Sequence, residues 1–190
     1  MPNINKLKND YFDYHHKKTN TIFTIAMKKL YLVRHAKSSW KNPDLSDKER
    51  PLNKRGKNDA PFMGKMLNEK KVKPDLIISS DAVRAKKTAY AIAKELEYEK
   101  NNIVLTDDIY EASSLELLNL IKSFDQNFNS VMMVGHNPAL TSLHNYLTDH
   151  YIYNIPTCGV VGIEFENQWS GIDERSGKFL FFIYPKMYKK

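Results

Sequence analysis

Apolar positions along this chain fall into short solid runs separated by stretches with helical spacing. Lys28–Val33 (KKLYLV), Asp75–Ser79 (DLIIS) and Ser130–Val134 (SVMMV) are apolar runs bounded by polar residues, the pattern of strands buried on both faces. Ile103–Thr106 predicts a weaker strand. Gly159–Phe165 and Lys178–Tyr184 predict two closing strands, joined by a Gly-, Ser- and charge-rich loop, Glu166–Gly177. Ala82, Ala85, Ala89, Ile92, Ala93 and Leu96 mark one face of the clearest helix. Phe62, Met63, Met66 and Leu67 also keep helical spacing. Pro61 either opens that helix or kinks it, because an interior proline costs about 3 kcal/mol. Ser113 and Glu116 fit a capping box ahead of Leu117, Leu118, Ile121 and Phe124. Asn137 as N-cap and Pro138 at the first helical position start a last helix, with Leu140, Leu143 and Leu147 on one face. The polar stretch from Lys37 to Asp59, marked by Pro43, Pro51 and Gly56, reads as loop.

Alternating strands and helices predict an α/β fold: one three-layer domain with a mostly parallel central sheet and helices on both faces. In such sheets ligands bind at the carboxyl ends of the strands. Three segments fall there. Arg34-His35-Ala36 follows the first strand, Ser79-Ser80-Asp81 with Arg84 follows the second, and Gly135-His136-Asn137-Pro138 follows the fourth. Two histidines and two arginines at one sheet edge fit a phosphoryl group. Its oxygens are anionic, and a guanidinium offers them a planar fork of donors. A helix N-terminus adds backbone N–H groups. A histidine that attacks phosphorus must be neutral at the attacking nitrogen, and neighbouring arginines disfavour the imidazolium. Taken singly, each of these residues also has an ordinary role as surface charge, ion-pair partner or packing.

Composition narrows the alternatives. With 190 residues and 42% hydrophobic content the chain can bury a sizeable core. A net charge of +7 leans toward anionic partners, although a lysine-rich solvated surface explains it equally well. Nucleic acid is disfavoured, because basic and aromatic residues do not interleave. Cys158 is the only cysteine, so no intramolecular disulfide forms and the expected compartment is the cytoplasm. No apolar run approaches the ~20 residues of a membrane span. Residues 1–26 lack periodicity, and their apolar patch, Thr21 to Ala26, is shorter than the roughly 7–15 residue core of a signal peptide. The expected organisation is therefore a disordered or non-native extension over 1–26 and one domain over 27–190.

Other phosphatase chemistries find few residues. Cys158 has Glu164 where a cysteine phosphatase needs arginine six positions on. There is no Asp-x-Asp pair, no P-loop and no His/Asp/Glu cluster at metal-ligand spacing, so no cofactor or metal is expected. By contrast LYLVRHAKSSW (30–40), ERPLNKRG (49–56), LIISSDAVRAKKTA (76–89), IYEAS (109–113) and VGHNPAL (134–140) together resemble the histidine phosphatase superfamily, with its phosphoglycerate mutase-like fold. The likeness covers about Met27 to Tyr184, and its nearest branch is the SixA-type phosphohistidine phosphatases. The resemblance implies that His35 is the phosphorylated nucleophile and that Arg34, Arg84 and His136 hold the phosphoryl oxygens. It places Arg50 near the pocket, Lys37, Ser38 and Asn137 within reach of substrate, and Glu111 where the wider superfamily has an acidic proton donor. Glu111 facing solvent ahead of its helix is the competing reading.

His136 lies 25 positions after Glu111, and one helix, a turn and one strand consume that interval. Larger relatives cover the pocket with insertions; here only Ser38–Asp59 is long enough to act as a lid. An open basic pocket fits phosphohistidine on a partner protein better than a buried sugar phosphate. The expected function is a metal-independent phosphatase acting through a phosphohistidine intermediate on such a partner. The alternatives are a broad small-molecule phosphomonoesterase and a non-catalytic phosphate-binding module.

Overall fold

Strand β1, Lys28–Arg34, alternates its buried side chains between two cores, and this alternation organises the molecule. Leu30 and Leu32 face one side and Tyr31 and Val33 the other. The computed structural model describes residues 27–188; the extension over 1–26 lies outside the described residues. Strands β2 (Leu76–Ser80), β3 (Val104–Thr106), β4 (Ser130–Gly135), β5 (Val160–Phe165) and β6 (Gly177–Ile183) complete one sheet in the order β3-β2-β4-β1-β5-β6. β1, β2, β3 and β4 pair in parallel; β5 lies antiparallel to both β1 and β6. The sheet is mostly parallel, as expected, with β5 alone reversed.

Helices α1 (Lys54–Glu69) and α2 (Val83–Glu95) cover one face with Met63, Leu67, Ala85, Ala89 and Ile92. Helices α3 (Ser114–Lys122) and α4 (Ala139–Leu147) cover the other with Leu117, Leu118, Ile121, Leu140, Leu143 and Leu147. Fully burying each large apolar side chain is worth roughly 1.5–3 kcal/mol, so either layer outweighs several local propensity losses. Among the described residues no helix is long and apolar enough to cross a membrane.

Three boundaries differ from the sequence reading, each for a local reason. First, α1 does not start at Pro61. It begins seven residues earlier at Lys54, capped by the Asn53 side chain accepting from the Gly56 N–H at 2.9 Å, and runs through the proline. The buried face formed by Ala60, Met63, Gly64 and Leu67 compensates for the missing backbone donor. Second, the segment after β1 is less irregular than its polarity implied. Ser38 bridges Leu52 in antiparallel fashion, and the Asn53 N–H donates to the Lys37 carbonyl at 3.0 Å. Third, Pro138 occupies the cap of α4 in place of Asn137. The Asn137 amide instead donates to Asn154 Oδ1 at 2.8 Å and to the Ile155 carbonyl at 3.1 Å. The capping box of Ser113 and Glu116 is formed at α3.

Candidate active site

Parallel register sets the site. Arg34 ends β1 opposite Gly135 at the end of β4, and Ser79 of β2 lies opposite Val134. The residues that follow therefore leave the sheet side by side, and the His35 N–H donates to the Gly135 carbonyl at 3.0 Å. Arg84, in the first turn of α2, completes the group. A cleft of about 370 Å³ opens there, lined by Arg34, His35, Arg84, Glu111, His136 and Asn137, and by Asp47 and Tyr110 as well.

The His35 ring is fixed by its own neighbour. Nδ1 lies 2.8 Å from the Ala36 carbonyl, which can only accept, so Nδ1 carries the hydrogen. That tautomer leaves a lone pair on Nε2, and Arg84 Nε–H donates to it at 3.3 Å. The His136 ring stands opposite, with centroids 5.0 Å apart. Its Nδ1 accepts from Arg84 Nη2 at 3.5 Å and its Nε2–H donates to Ser80 Oγ at 2.9 Å. Burial drives both imidazoles toward the neutral form. His35 is lowered to about 3, first by burial and then by the charges of His136, Arg84 and Arg34 against the opposing Ala36 carbonyl. His136 is lowered to about 4 by burial and Arg84. Arg34 donates from Nη1 to the Ile155 carbonyl at 2.8 Å. Its Nε is buried without a protein partner.

Asp47 and Tyr110 are the functional candidates that sequence reasoning missed. Asp47 Oδ2 accepts from Arg84 Nη2 at 2.7 Å and from the Tyr110 hydroxyl at 3.0 Å, while Oδ1 accepts from Arg50 Nη1 at 2.6 Å. Partial burial opposes ionisation of this carboxyl, but the donors from Arg50, Tyr110 and Arg84 prevail and hold it at about 2. The Tyr110 ring stands edge-on to His136 at 5.6 Å. The one sequence signal for Asp47 was its place three residues before Arg50, in a stretch that otherwise looked like loop.

The remaining expected residues divide. Glu111 lies at the exposed rim of the cleft with a left-handed backbone, φ 56°. Arg50, Lys37 and Ser38 are not part of the cleft's lining. Arg50 is buried, donating from Nη2 to Ser38 Oγ at 2.7 Å and from Nε to the Ser39 carbonyl at 3.1 Å, with Trp40 stacked over its guanidinium. Trp169 is fully buried in the core.

Residues 30–120 match the family model described as histidine phosphatase superfamily (branch 1). A solved structure from Agrobacterium tumefaciens, provisionally assigned as the phosphohistidine phosphatase SixA, superposes with a TM-score of 0.70 at 29% identity, covering 83% of this chain and 99% of that one. Over residues 30–120 the chain is similar to the histidine phosphatase superfamily, and the likeness in fold extends over most of the chain. Members of this superfamily are phosphatases. The matched segment carries Arg34, His35, Asp47, Arg84 and Glu111; the fold then brings His136 to them from outside it. An uncharacterised chloroplast protein of Arabidopsis thaliana is 28% identical over 163 residues, 81% of this chain and 74% of the relative. A protein histidine phosphatase SixA solved with tungstate shares the fold at a TM-score of 0.73 and 18% identity, covering 85% of this chain and 99% of that one.

Proposed function

We propose that the protein is a phosphatase that passes a phosphoryl group through His35 Nε2, and that its substrate is phosphohistidine on a partner protein. The observation that carries the reading is the hydrogen bond from His35 Nδ1 to the Ala36 carbonyl, which leaves Nε2 unprotonated beside Arg84. Nε2 attacks phosphorus as the substrate P–N bond breaks, and the departing imidazole keeps the electron pair. Water then attacks the His35 phosphoryl group. Its hydroxyl ends on the phosphate, its other hydrogen leaves as a proton, and His35 Nε2 regains its lone pair. The substrate imidazole leaves neutral in the first step because its other ring nitrogen carries a proton. Arg84 and Arg34, both in the lining of the cleft, supply donors to the phosphoryl oxygens, and such fixed donors are the main source of rate in this chemistry. Among the described residues no three His, Cys, Asp or Glu side chains converge to hold a metal ion, and the proposal uses none.

The substrate class follows from the leaving group. A phosphoramidate nitrogen departs with less acid help than an ester oxygen, and Asp47, held ionised by its three donors, is a poor acid at neutral pH. A second reading, a general phosphomonoesterase, is favoured by the presence of a carboxyl group, Glu111, in the lining of the cleft. The proposal sets the reaction in the cytoplasm. A comparison of kcat/KM on a histidine-phosphorylated protein and on simple phosphoesters, with chelator present, separates the two readings. We expect preference for the phosphoprotein and tolerance of Glu111→Gln. Preference for esters together with loss of activity in Glu111→Gln would support the second reading instead.

A further inference from the structure

The loop after α4 displays side chains that the reaction does not use. Ile152 and Ile155 turn into the core, whereas Tyr151 and Tyr153, on either side of Ile152, are 74% and 90% exposed. Hydrogen bonds fix this alternation. The Ile152 N–H donates to Asn145 Oδ1 and Asn145 Nδ2 donates to the Ile152 carbonyl, both at 2.9 Å. The Ile155 N–H donates to Thr141 Oγ1 at 3.1 Å. Tyrosines held out on an ordered backbone lose little entropy when covered and are favoured at contact hot spots. With Phe182 and Tyr184 they line a shallow groove. Across Tyr184 the surface continues into a second cleft of about 310 Å³ that carries Arg55 and Lys186. Arg55 keeps 55% of its side chain exposed while pairing with Asp59 at 3.7 Å.

Asn154 is the wall between this groove and the active site. It lines the groove, and its Oδ1 accepts from Asn137 Nδ2 at 2.8 Å and from Arg34 Nη1 at 3.4 Å, both of which line the catalytic cleft. The other side of the cleft is acidic, with Asp107, Asp108 and Glu116 beside Glu111. The surface is therefore polarised across the phosphoryl site, an arrangement that selects one orientation of a charged partner.

We infer that the surface running from Tyr151 and Tyr153 across Tyr184 to Arg55 and Lys186 docks the phosphoprotein substrate, through an acidic and apolar flank beside its phosphorylated side chain. The inference rests on the phosphoprotein reading above, and its test keeps the two apart. The full chain carrying Tyr151→Ser with Tyr153→Ser, and separately Lys186→Glu, is assayed on two probes: a phosphotransfer domain phosphorylated on histidine, and free phosphohistidine. All three positions are exposed, so the melting temperature is expected to stay at the wild-type value. The tyrosine pair should raise KM for the domain about tenfold, with kcat unchanged within about twofold and free phosphohistidine unaffected. Lys186→Glu should do the same and remove part of the salt dependence. A wild type that prefers the domain, with variants that leave its KM unchanged, overturns the docking surface alone. A wild type with no preference for the domain overturns the phosphoprotein reading and the docking surface with it. A dimer lost in the variants at unchanged KM would assign the face to a second copy and overturn the inference.

Discussion

The state of His35 is decided by two contacts, the Ala36 carbonyl at Nδ1 and Arg84 Nε at Nε2, and by burial that keeps the ring neutral. His35 at about 3 and His136 at about 4 both lie below the ordinary value near 6.5 of an unfolded chain. The stability from burying them neutral is therefore complete above pH 6.5 and is lost as pH falls toward 4 and then 3. In a ¹⁵N-resolved titration both rings should keep neutral-imidazole shifts down to pH 5; a midpoint near 6.5 at either would contradict the assignment. Asp47 tests the next layer. It ties Arg84, Arg50 and Tyr110 together, so Asp47→Ala should lower kcat/KM by at least about tenfold by releasing Arg84 from its aim. Activity at the wild-type level would show that Arg84 needs no such anchor. Arg34, His35, Arg84 and His136 were legible in the sequence because each directly follows a strand or opens a helix. Asp47 was not, because its three donors come from Arg50, Arg84 and Tyr110, and only one of those is near in sequence.

Among elements, the Lys37–Asn53 segment departs furthest from its appearance. It is polar and aperiodic, yet it returns as a short antiparallel bridge that delivers Asp47 to Arg84 and Asn53 to the cap of α1. Gly56 makes the return feasible. A Cβ there would lie 2.2 Å from the Lys37 carbonyl oxygen, so the start of α1 sits directly against the chain that leaves His35. Helix propensity alone favours alanine over glycine by about 1 kcal/mol. The contact predicts the opposite sign: Gly56→Ala should destabilise the protein by about 1–3 kcal/mol in denaturant unfolding. A stabilised variant would show that this approach is dispensable. Elements whose apolar periodicity was strong, α2 and β1, β2 and β4, were legible almost to the residue. The run of α1 through Pro61 and the cap at Pro138 were not, since packing on one side and the Asn137 contacts on the other set them.

At the scale of the whole molecule, two apolar layers clamp a sheet whose four adjacent parallel strands aim their carboxyl ends at one edge. Segments at three of those ends, on β1, β2 and β4, meet at the cleft. β5 and β6 extend the opposite side of the sheet beyond β1. The layered α/β class was readable from alternation, whereas the reversed direction of β5 was not, because a buried strand has the same apolar pattern in either direction. The central claim is that this convergence makes His35 Nε2 the acceptor of a phosphoryl group. It is tested most directly by quenching the enzyme in alkali during turnover of a histidine-phosphorylated protein and locating the protein-bound phosphate by mass spectrometry and ³¹P NMR. The account predicts acid-labile phosphate on Nε2 of His35, absent in His35→Ala together with turnover. Phosphate on His136, or turnover that survives His35→Ala, would contradict it.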